Sequence, residues 1–85
     1  MYSFIFTKIG EKEFLKLGNQ DQERILKKLK TYKNNGNLGN NLKSLIDFYP
    51  ATHRIRIGNI RIILQKIDEK TFHILDIGYR GDIYK

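Results

Sequence analysis

The sequence predicts a single α+β domain, in which one short strand and a hairpin of two helices precede an antiparallel sheet of three further strands. Two patterns support this fold class. Apolar residues recur at helical spacing before residue 33, and they alternate with charged residues at a period of two from residue 53 onward. A Gly-Asn pair interrupts the alternation at residues 58 and 59, where it predicts a tight hairpin turn. A chain of 85 residues provides one domain, which we place at residues 1–85.

The first strand is predicted at residues 1–7, which are rich in aromatic side chains. Tyr2, Phe4 and Phe6 alternate with other residues, so we expect them to share one face of the strand. Thr7 follows, and threonine is a residue type that caps the N-terminus of helices. Gly10 falls within the first turn of the helix that Thr7 begins, where glycine weakens a helix.

The helical hairpin is predicted between residues 8 and 33. Gly18 stands where a C-cap glycine would end the first helix, and Asn19 is a suitable N-cap for the second. Asp21 and Glu23 fall in the first turn of that helix, where its dipole favours acidic side chains. The second helix has an apolar face and a lysine-rich face, made respectively of Ile25, Leu26, Leu29 and Tyr32 and of Lys27, Lys28, Lys30 and Lys33.

The sheet is predicted to contain strands at residues 53–57, 60–67 and 71–77. Because glycine comes first in the Gly-Asn pair, we expect a type II′ turn of two residues. This turn places Arg56 directly opposite Arg61 and directs the isoleucines of both strands to the other face, against the helices. A second turn is predicted at residues 68–70. Asp76 and Arg80 join the arginine side if that turn has two residues, but not if it has three.

The formal net charge of +7 favours an anionic partner, most often a nucleic acid. Lysine and asparagine are abundant, which is typical of A/T-rich coding sequences, so the arginines are the more informative cations. Four of the five arginines fall after residue 53, at Arg54, Arg56, Arg61 and Arg80. Like charges directly opposite each other destabilise a sheet. The arginines either form a solvated face with Asp47 or Asp76 as partners, or bind phosphate, which guanidinium contacts through paired donors.

Aromatic residues accompany the last of these arginines. Tyr79 and Tyr84 lie close to Arg80 in the sequence, and aromatic side chains among basic residues suit stacking on bases. Packing at the end of a small core is the alternative, which is as well supported for Tyr79 and less so for Tyr84.

The sequence offers little support for a metal site, a catalytic histidine or a membrane span. The sequence contains no cysteine and only two histidines, too few for a metal triad. His53 has the position of a core-facing residue at a strand end, which indicates packing rather than catalysis. No apolar run approaches the roughly 18 residues of a membrane span. We therefore expect a cytoplasmic protein without a metal site and without membrane contact.

The segments HRIRIGNIRIIL and FHILDIGYRGDIYK, placed after a strand and a helical hairpin, resemble the RelE/ParE toxin superfamily of toxin–antitoxin systems. The order and spacing of these segments carry the resemblance, which covers nearly the whole chain. RelE-type members are ribosome-dependent endoribonucleases that cut mRNA in the A site. The resemblance implies that a 2′-hydroxyl attacks its own 3′-phosphate and leaves a 2′,3′-cyclic phosphate and a 5′-hydroxyl, with no cofactor.

The resemblance also implies roles for individual residues. Arg61 matches the arginine that stabilises the transition state, Arg80 an arginine near the leaving group, and Tyr84 a tyrosine that stacks on or activates the substrate. Arg54 and Arg56 match basic substrate-binding residues, to which we add Tyr79 as a stacking residue. Because the sequence places no carboxylate next to Arg61, we expect folding to be independent of it.

This chain departs from the family pattern in its proton acceptor. RelE has lysines at the positions of Arg54 and Arg56, and an arginine cannot act as a base. Members with a glutamate base have it where this chain has Asn40 and Asn41. Tyr84 is the remaining candidate.

Two other functions remain open. ParE-type members poison DNA gyrase without cutting RNA, and they usually lack the full set of arginines and tyrosine. A non-catalytic module that binds RNA or the ribosome would use the same basic surface. The resemblance implies a cognate antitoxin with an acidic segment as partner, and contact with operator DNA only through the antitoxin complex.

Overall fold

The computed structural model describes residues 2–35 and 42–79, with the backbone alone for Asn35, and it shows the predicted α+β class. The predicted residues Arg80 and Tyr84, like Asn40 and Asn41, lie outside this part of the chain. In chain order the elements are β1 (Ser3–Phe6), α1 (Lys8–Leu15), α2 (Asn19–Asn35), β2 (Leu42–Ser44), β3 (His53–Ile57), β4 (Ile60–Asp68) and β5 (Thr71–Tyr79). Neither of these helices combines the length and the apolar character that crossing a membrane requires.

The five strands form one mixed sheet in the order β1-β5-β4-β3-β2. Strand β1 runs parallel to β5, whereas the other neighbours are antiparallel. Strand β2 is additional to the predicted strands. It has three residues, too few for an alternating pattern, and it pairs with β3 so that Lys43 lies opposite Arg54.

The hydrophobic core lies between the two helices and one face of the sheet. Phe4 and Phe6 of β1 pack against it, as does Tyr2 just before the strand, which confirms their predicted common face. Leu26 is the exception on α2, because half of it is exposed. The buried core residues are Phe14, Leu17, Ile25, Leu29, Tyr32, Ile55, Ile57, Ile60, Ile62, Leu64, Phe72, Ile74 and Ile77.

The ends of the helices follow the prediction in part. Thr7 caps α1 as predicted, because its side-chain oxygen accepts a hydrogen bond of 3.0 Å from the Gly10 N–H. The prediction that Gly18 is a C-cap was wrong, since α1 ends at the C-cap Lys16. The Gly18 carbonyl instead accepts the N–H of Gln22, so Gly18 has the N-cap position of α2.

Gly10 lies where α1 approaches β5 most closely. The Ile74 carbonyl oxygen accepts hydrogen bonds from the Thr7 N–H at 3.1 Å and from the Thr7 hydroxyl at 2.9 Å. A Cβ atom at residue 10 would overlap this carbonyl oxygen. Gly10 is therefore a point of close contact between helix and sheet, which the expectation of a weakened helix did not anticipate.

The β3–β4 hairpin has the predicted register. Ile57 pairs with Ile60, and Arg56 with Arg61. Gly58 has a φ of +60°, whereas Asn59 does not have a positive φ. This combination is the predicted type II′ turn.

We expect Gly58→Ala to destabilise the protein by about 1–2 kcal/mol, the cost of a left-handed conformation for a residue with a Cβ atom. The new Cβ would also stand 2.5 Å from an Arg24 Nη atom. Urea unfolding measures the loss, with Asn59→Ala as the control in the same turn, for which we expect a change within about 0.5 kcal/mol. Equal midpoints for the two variants would contradict the turn assignment.

The β4–β5 turn is shorter than predicted, with two residues at positions 69 and 70. Two irregularities interrupt the pairing of these strands, between Ile63 and Leu64 and between Lys66 and Asp68. They offset each other, so Asp76 pairs with Ile63 as a regular two-residue hairpin would require. The two-residue alternative for this turn is therefore correct, and Asp76 has the same strand parity as the arginines.

Candidate functional site

The sheet surface that faces away from the helices carries a group of basic side chains. Pairing places Lys43 opposite Arg54, and Arg56 opposite Arg61, on strand positions that alternate with the buried isoleucines. We call this group of four residues, Lys43, Arg54, Arg56 and Arg61, the basic face. Lys43 could not be predicted from the sequence, because its place depends on a strand that is too short to show an alternating pattern.

The two facing arginines differ in exposure. Arg56 is exposed at the end of the hairpin, whereas only 9% of Arg61 is exposed. Ile63, two residues further along β4, is buried on the same surface. A buried cation acts on an anion through a less polar surrounding than water, so its attraction is stronger than that of an exposed one.

The predicted acidic partners do not pair with Arg54 or Arg56. Within residues 2–35 and 42–79, neither Arg54 nor Arg56 forms an ion pair. The Asp76 carboxylate accepts the Ile77 N–H at 2.9 Å. Burial raises the pKa of Asp76 above its usual value, and Glu13 acts in the same direction, while the Ile77 N–H opposes them. Asp76 is therefore influenced by the charge of Glu13 on α1. The interpretation of the arginines as a solvated face with acidic partners predicted ion pairs that Arg54 and Arg56 do not form in this part of the chain.

Tyr79 does not join the basic face. It pairs with Ile60, a core residue, and packs against the core from the helix side. Its hydroxyl donates a hydrogen bond to the Asp21 carboxylate, which raises the pKa of Tyr79. Strand parity explains this place, because Tyr79 and Arg61 occupy positions of opposite parity in the β4–β5 pairing. Of the two interpretations offered for Tyr79, the structure shows packing at the end of the core.

His53 takes no part in the basic face. The His53 ring packs edge-on against Phe72, and its Nδ1 lies 2.8 Å from the Thr52 hydroxyl. Burial lowers the pKa of His53, and the charge of Lys66 lowers it further. In the described part of the chain, no three His, Asp or Glu side chains come close enough together to hold a metal ion.

Two grooves flank α2. The helix–hairpin groove, of about 490 Å³, lies between α2 and the β3–β4 turn and is lined by Arg24, Lys27, Lys28, Thr31, Arg56, Ile57 and Gly58. The helix–β1 groove, of about 410 Å³, lies on the other side of α2 and is lined by Ser3, Phe4, Phe6, Leu26, Leu29, Lys30, Lys33 and Asn34. The first is basic and the second largely apolar.

The basic face has the chemistry of a phosphate site. Two guanidinium groups on neighbouring strands offer paired N–H donors, which match phosphate oxygens. Their charge is fixed before the ligand arrives, so they can stabilise negative charge that grows on a phosphate during a reaction. Lys43 and Arg54 extend the same surface toward the β2 edge of the sheet.

No family model and no curated protein matches the chain. Solved structures match over nearly its whole length. The intact E. coli RelBE toxin–antitoxin complex is similar at 25% identity and a TM-score of 0.69, covering 95% of this chain and 99% of that chain. The isolated E. coli RelE toxin is similar at 25% identity and a TM-score of 0.70, and the match covers 95% of this chain and 86% of that chain. The RelB–RelE antitoxin–toxin complex from Methanococcus jannaschii is similar at 24% identity and a TM-score of 0.72, and the match covers 95% of each chain. The chain therefore has a RelE-like toxin fold.

Proposed function

We propose that this chain is the toxin of a type II toxin–antitoxin system, and that it cleaves mRNA in the ribosomal A site without a metal ion or other cofactor. The observation that carries the proposal is the pairing of Arg56 with a buried Arg61 on the face of a RelE-like sheet that lies opposite the helices. The proteins with similar structures are themselves described as RelE toxins, alone or with RelB antitoxins.

The proposed reaction is an internal transfer at phosphorus. The 2′-hydroxyl oxygen of a nucleotide bonds to its own 3′-phosphorus, the bond from phosphorus to the 5′-oxygen breaks, and the proton released by the 2′-hydroxyl is balanced by one taken up at the 5′-oxygen. The intermediate carries more negative charge than the diester, which favours cations fixed in advance. Arg61 supplies this stabilisation, with Arg56 and Arg54 binding the substrate phosphates.

Residues beyond the described part of the chain complete the proposed site. Arg80 acts near the leaving 5′-oxygen, and Tyr84 stacks on the substrate or accepts the 2′ proton. Both assignments come from the resemblance alone. Tyr79 has a different task in this proposal, because its hydroxyl is engaged by Asp21.

An antitoxin is the expected protein partner. The helix–β1 groove has an apolar floor, with Phe4, Phe6 and Leu29, and a rim that includes Lys30 and Lys33. An amphipathic segment with acidic side chains complements both parts of such a groove. We propose that the antitoxin places this kind of segment here, and that operator DNA is reached only through the antitoxin complex.

Expression of the chain alone should arrest growth, with translation failing before DNA supercoiling changes. Primer extension on mRNA from these cells should show new 5′ ends within coding regions, and co-expression of the partner from a neighbouring reading frame should restore growth. Gyrase-linked DNA breaks that precede the translation defect would support the ParE-type function instead. Translation arrest without new 5′ ends would indicate a non-catalytic module that binds RNA or the ribosome.

A further inference from the structure

We propose that the helix–hairpin groove is a second site for RNA, which binds the sugar-phosphate backbone outside the reaction centre. The inference deepens the proposed function and takes RNA as the partner from it. It concerns a set of α2 side chains, Arg24, Lys27, Lys28 and Thr31, that no step of the proposed reaction uses.

The groove presents its cations as a row. Arg24, Lys27 and Lys28 are spaced three and four residues apart and therefore share one face of α2 with Thr31. At about 1.5 Å per residue, the row from Arg24 to Thr31 is roughly 10 Å long. A row of this length can contact more than one phosphate of an RNA strand.

One of these cations is held in place by its neighbours. The Arg24 Nη1 atom lies 3.4 Å from one oxygen of Asp21, whose other oxygen accepts the Tyr79 hydroxyl. The Arg24 Nη2 atom stands close to Gly58, where a side chain would collide with it. A side chain restrained in this way loses less conformational freedom when it binds an anion. Tyr79 thus acts as a positioning residue for the groove.

The lining favours a phosphate backbone over a peptide. It contains four cations and no carboxylate, and its one aliphatic side chain, Ile57, is 5% exposed. Peptide recognition relies on pockets for apolar anchors, which this groove lacks. The helix–β1 groove on the opposite side of α2 offers such a floor instead.

Arg56 connects the groove with the basic face, because it belongs to both. An RNA strand that crosses the end of the β3–β4 hairpin would contact the two surfaces in succession. The groove would then contribute affinity, while the chemical step takes place at Arg61.

The test compares two charge reversals on the same helix, K27E/K28E and K30E/K33E. All four lysines are exposed and both variants remove the same charge, but only the first pair lines the groove. The probe is a fluorescein-labelled 20-nucleotide RNA hairpin with 2′-O-methyl groups throughout, which cannot be cut by attack of its own 2′-hydroxyls. Fluorescence anisotropy gives Kd between 50 and 200 mM KCl. Circular dichroism verifies that each variant is folded.

We expect K27E/K28E to weaken binding by about tenfold or more at 100 mM KCl and to reduce the slope of log Kd against log salt by about 1.4 to 1.8, the effect of two lost phosphate contacts. K30E/K33E should weaken binding by less than about threefold, with little change in slope, because only long-range attraction is lost. Equal losses for the two variants would overturn the inference, and so would unchanged binding of the RNA hairpin by K27E/K28E.

The outcome is separable from that of the proposed function, because the probe is never cleaved. If wild-type protein cuts mRNA and K27E/K28E binds the hairpin normally, the groove inference fails and the proposed function stands. If K27E/K28E alone loses the hairpin and wild-type protein cuts no mRNA, the groove is an RNA site and the catalytic function fails.

Discussion

Replacing Arg61 with alanine is expected to lower the rate of mRNA cleavage by about 100- to 1000-fold, the usual loss when one donor to a transition state is removed. Arg61→Lys keeps the charge but loses the paired donors, so it should restore only part of the rate. Arg61→Met should be as slow as Arg61→Ala, because it has no charge. The measurement is single-turnover cleavage of mRNA on purified ribosomes.

The stability of these variants separates catalysis from folding. From the sequence alone we expected folding to be independent of Arg61, but its burial changes that expectation. Arg61→Ala deletes two side-chain methylenes at up to about 0.8 kcal/mol each, so we expect the lost burial alone to cost about 1 kcal/mol. Arg61→Met keeps a stem of similar length and should lose less. The control is Arg56→Ala, which removes the facing but exposed charge and should leave stability unchanged or raise it by a few tenths of a kcal/mol.

Two results would contradict the assignment of Arg61. If Arg61→Ala is unfolded and Arg61→Met is folded and cleaves normally, the arginine has a structural role only. If all the variants fold and cleave at the wild-type rate, the reaction takes place elsewhere on the molecule.

Replacing Gly10 with alanine is expected to destabilise the protein by about 1–3 kcal/mol, the range for an added methyl group in a well-packed region. The new Cβ would overlap the Ile74 carbonyl oxygen, which is backbone and cannot rotate away as a side chain would. Separating α1 from β5 to make room would lengthen the two hydrogen bonds from Thr7 to the same oxygen. Urea unfolding gives the change in free energy.

Helix propensity predicts the opposite sign, since alanine is favoured over glycine within a helix by about 1 kcal/mol. The control is Gly18→Ala, whose Cβ would meet nothing within 4 Å. At residue 18, alanine stabilises the protein by lowering the entropy of the unfolded chain and destabilises it by being a poorer N-cap than glycine. Each effect is about 1 kcal/mol or less, and the two oppose each other. A stabilised Gly10→Ala variant would show that α1 does not approach Ile74 as closely as the structure has it.

The parts of the fold that could be predicted are those in which local chemistry determines geometry. The turn at Gly58 and Asn59 has two residues, and a two-residue turn leaves one register for the strands that it joins. The pairing of Arg56 with Arg61 followed from that register without further information. Thr7 was predictable as a cap for the same reason, because its hydrogen bond to Gly10 is local.

The missed features depend on contacts between distant segments. Strand β2 exists because β3 offers it an edge, and Lys43 enters the basic face only through that pairing. The role of Gly10 depends on Ile74, which is far away in the sequence. Arg56 and Arg61 follow the same alternating pattern, so nothing in that pattern predicts that one is exposed and the other buried.

The parallel pairing of β1 with β5 has a consequence for the order of events during synthesis. Thr7 and Ile74 are 67 positions apart, so the first strand and the start of α1 leave the exit tunnel long before their partner is translated. Until then β1 has no neighbouring strand, and contacts this distant in sequence form slowly. The sheet can close only after Ile74 has emerged. A nascent chain that stalls within the β3–β4 hairpin would expose Phe4 and Phe6 without the strand that β1 pairs with, which makes it a substrate for chaperones rather than a working protein.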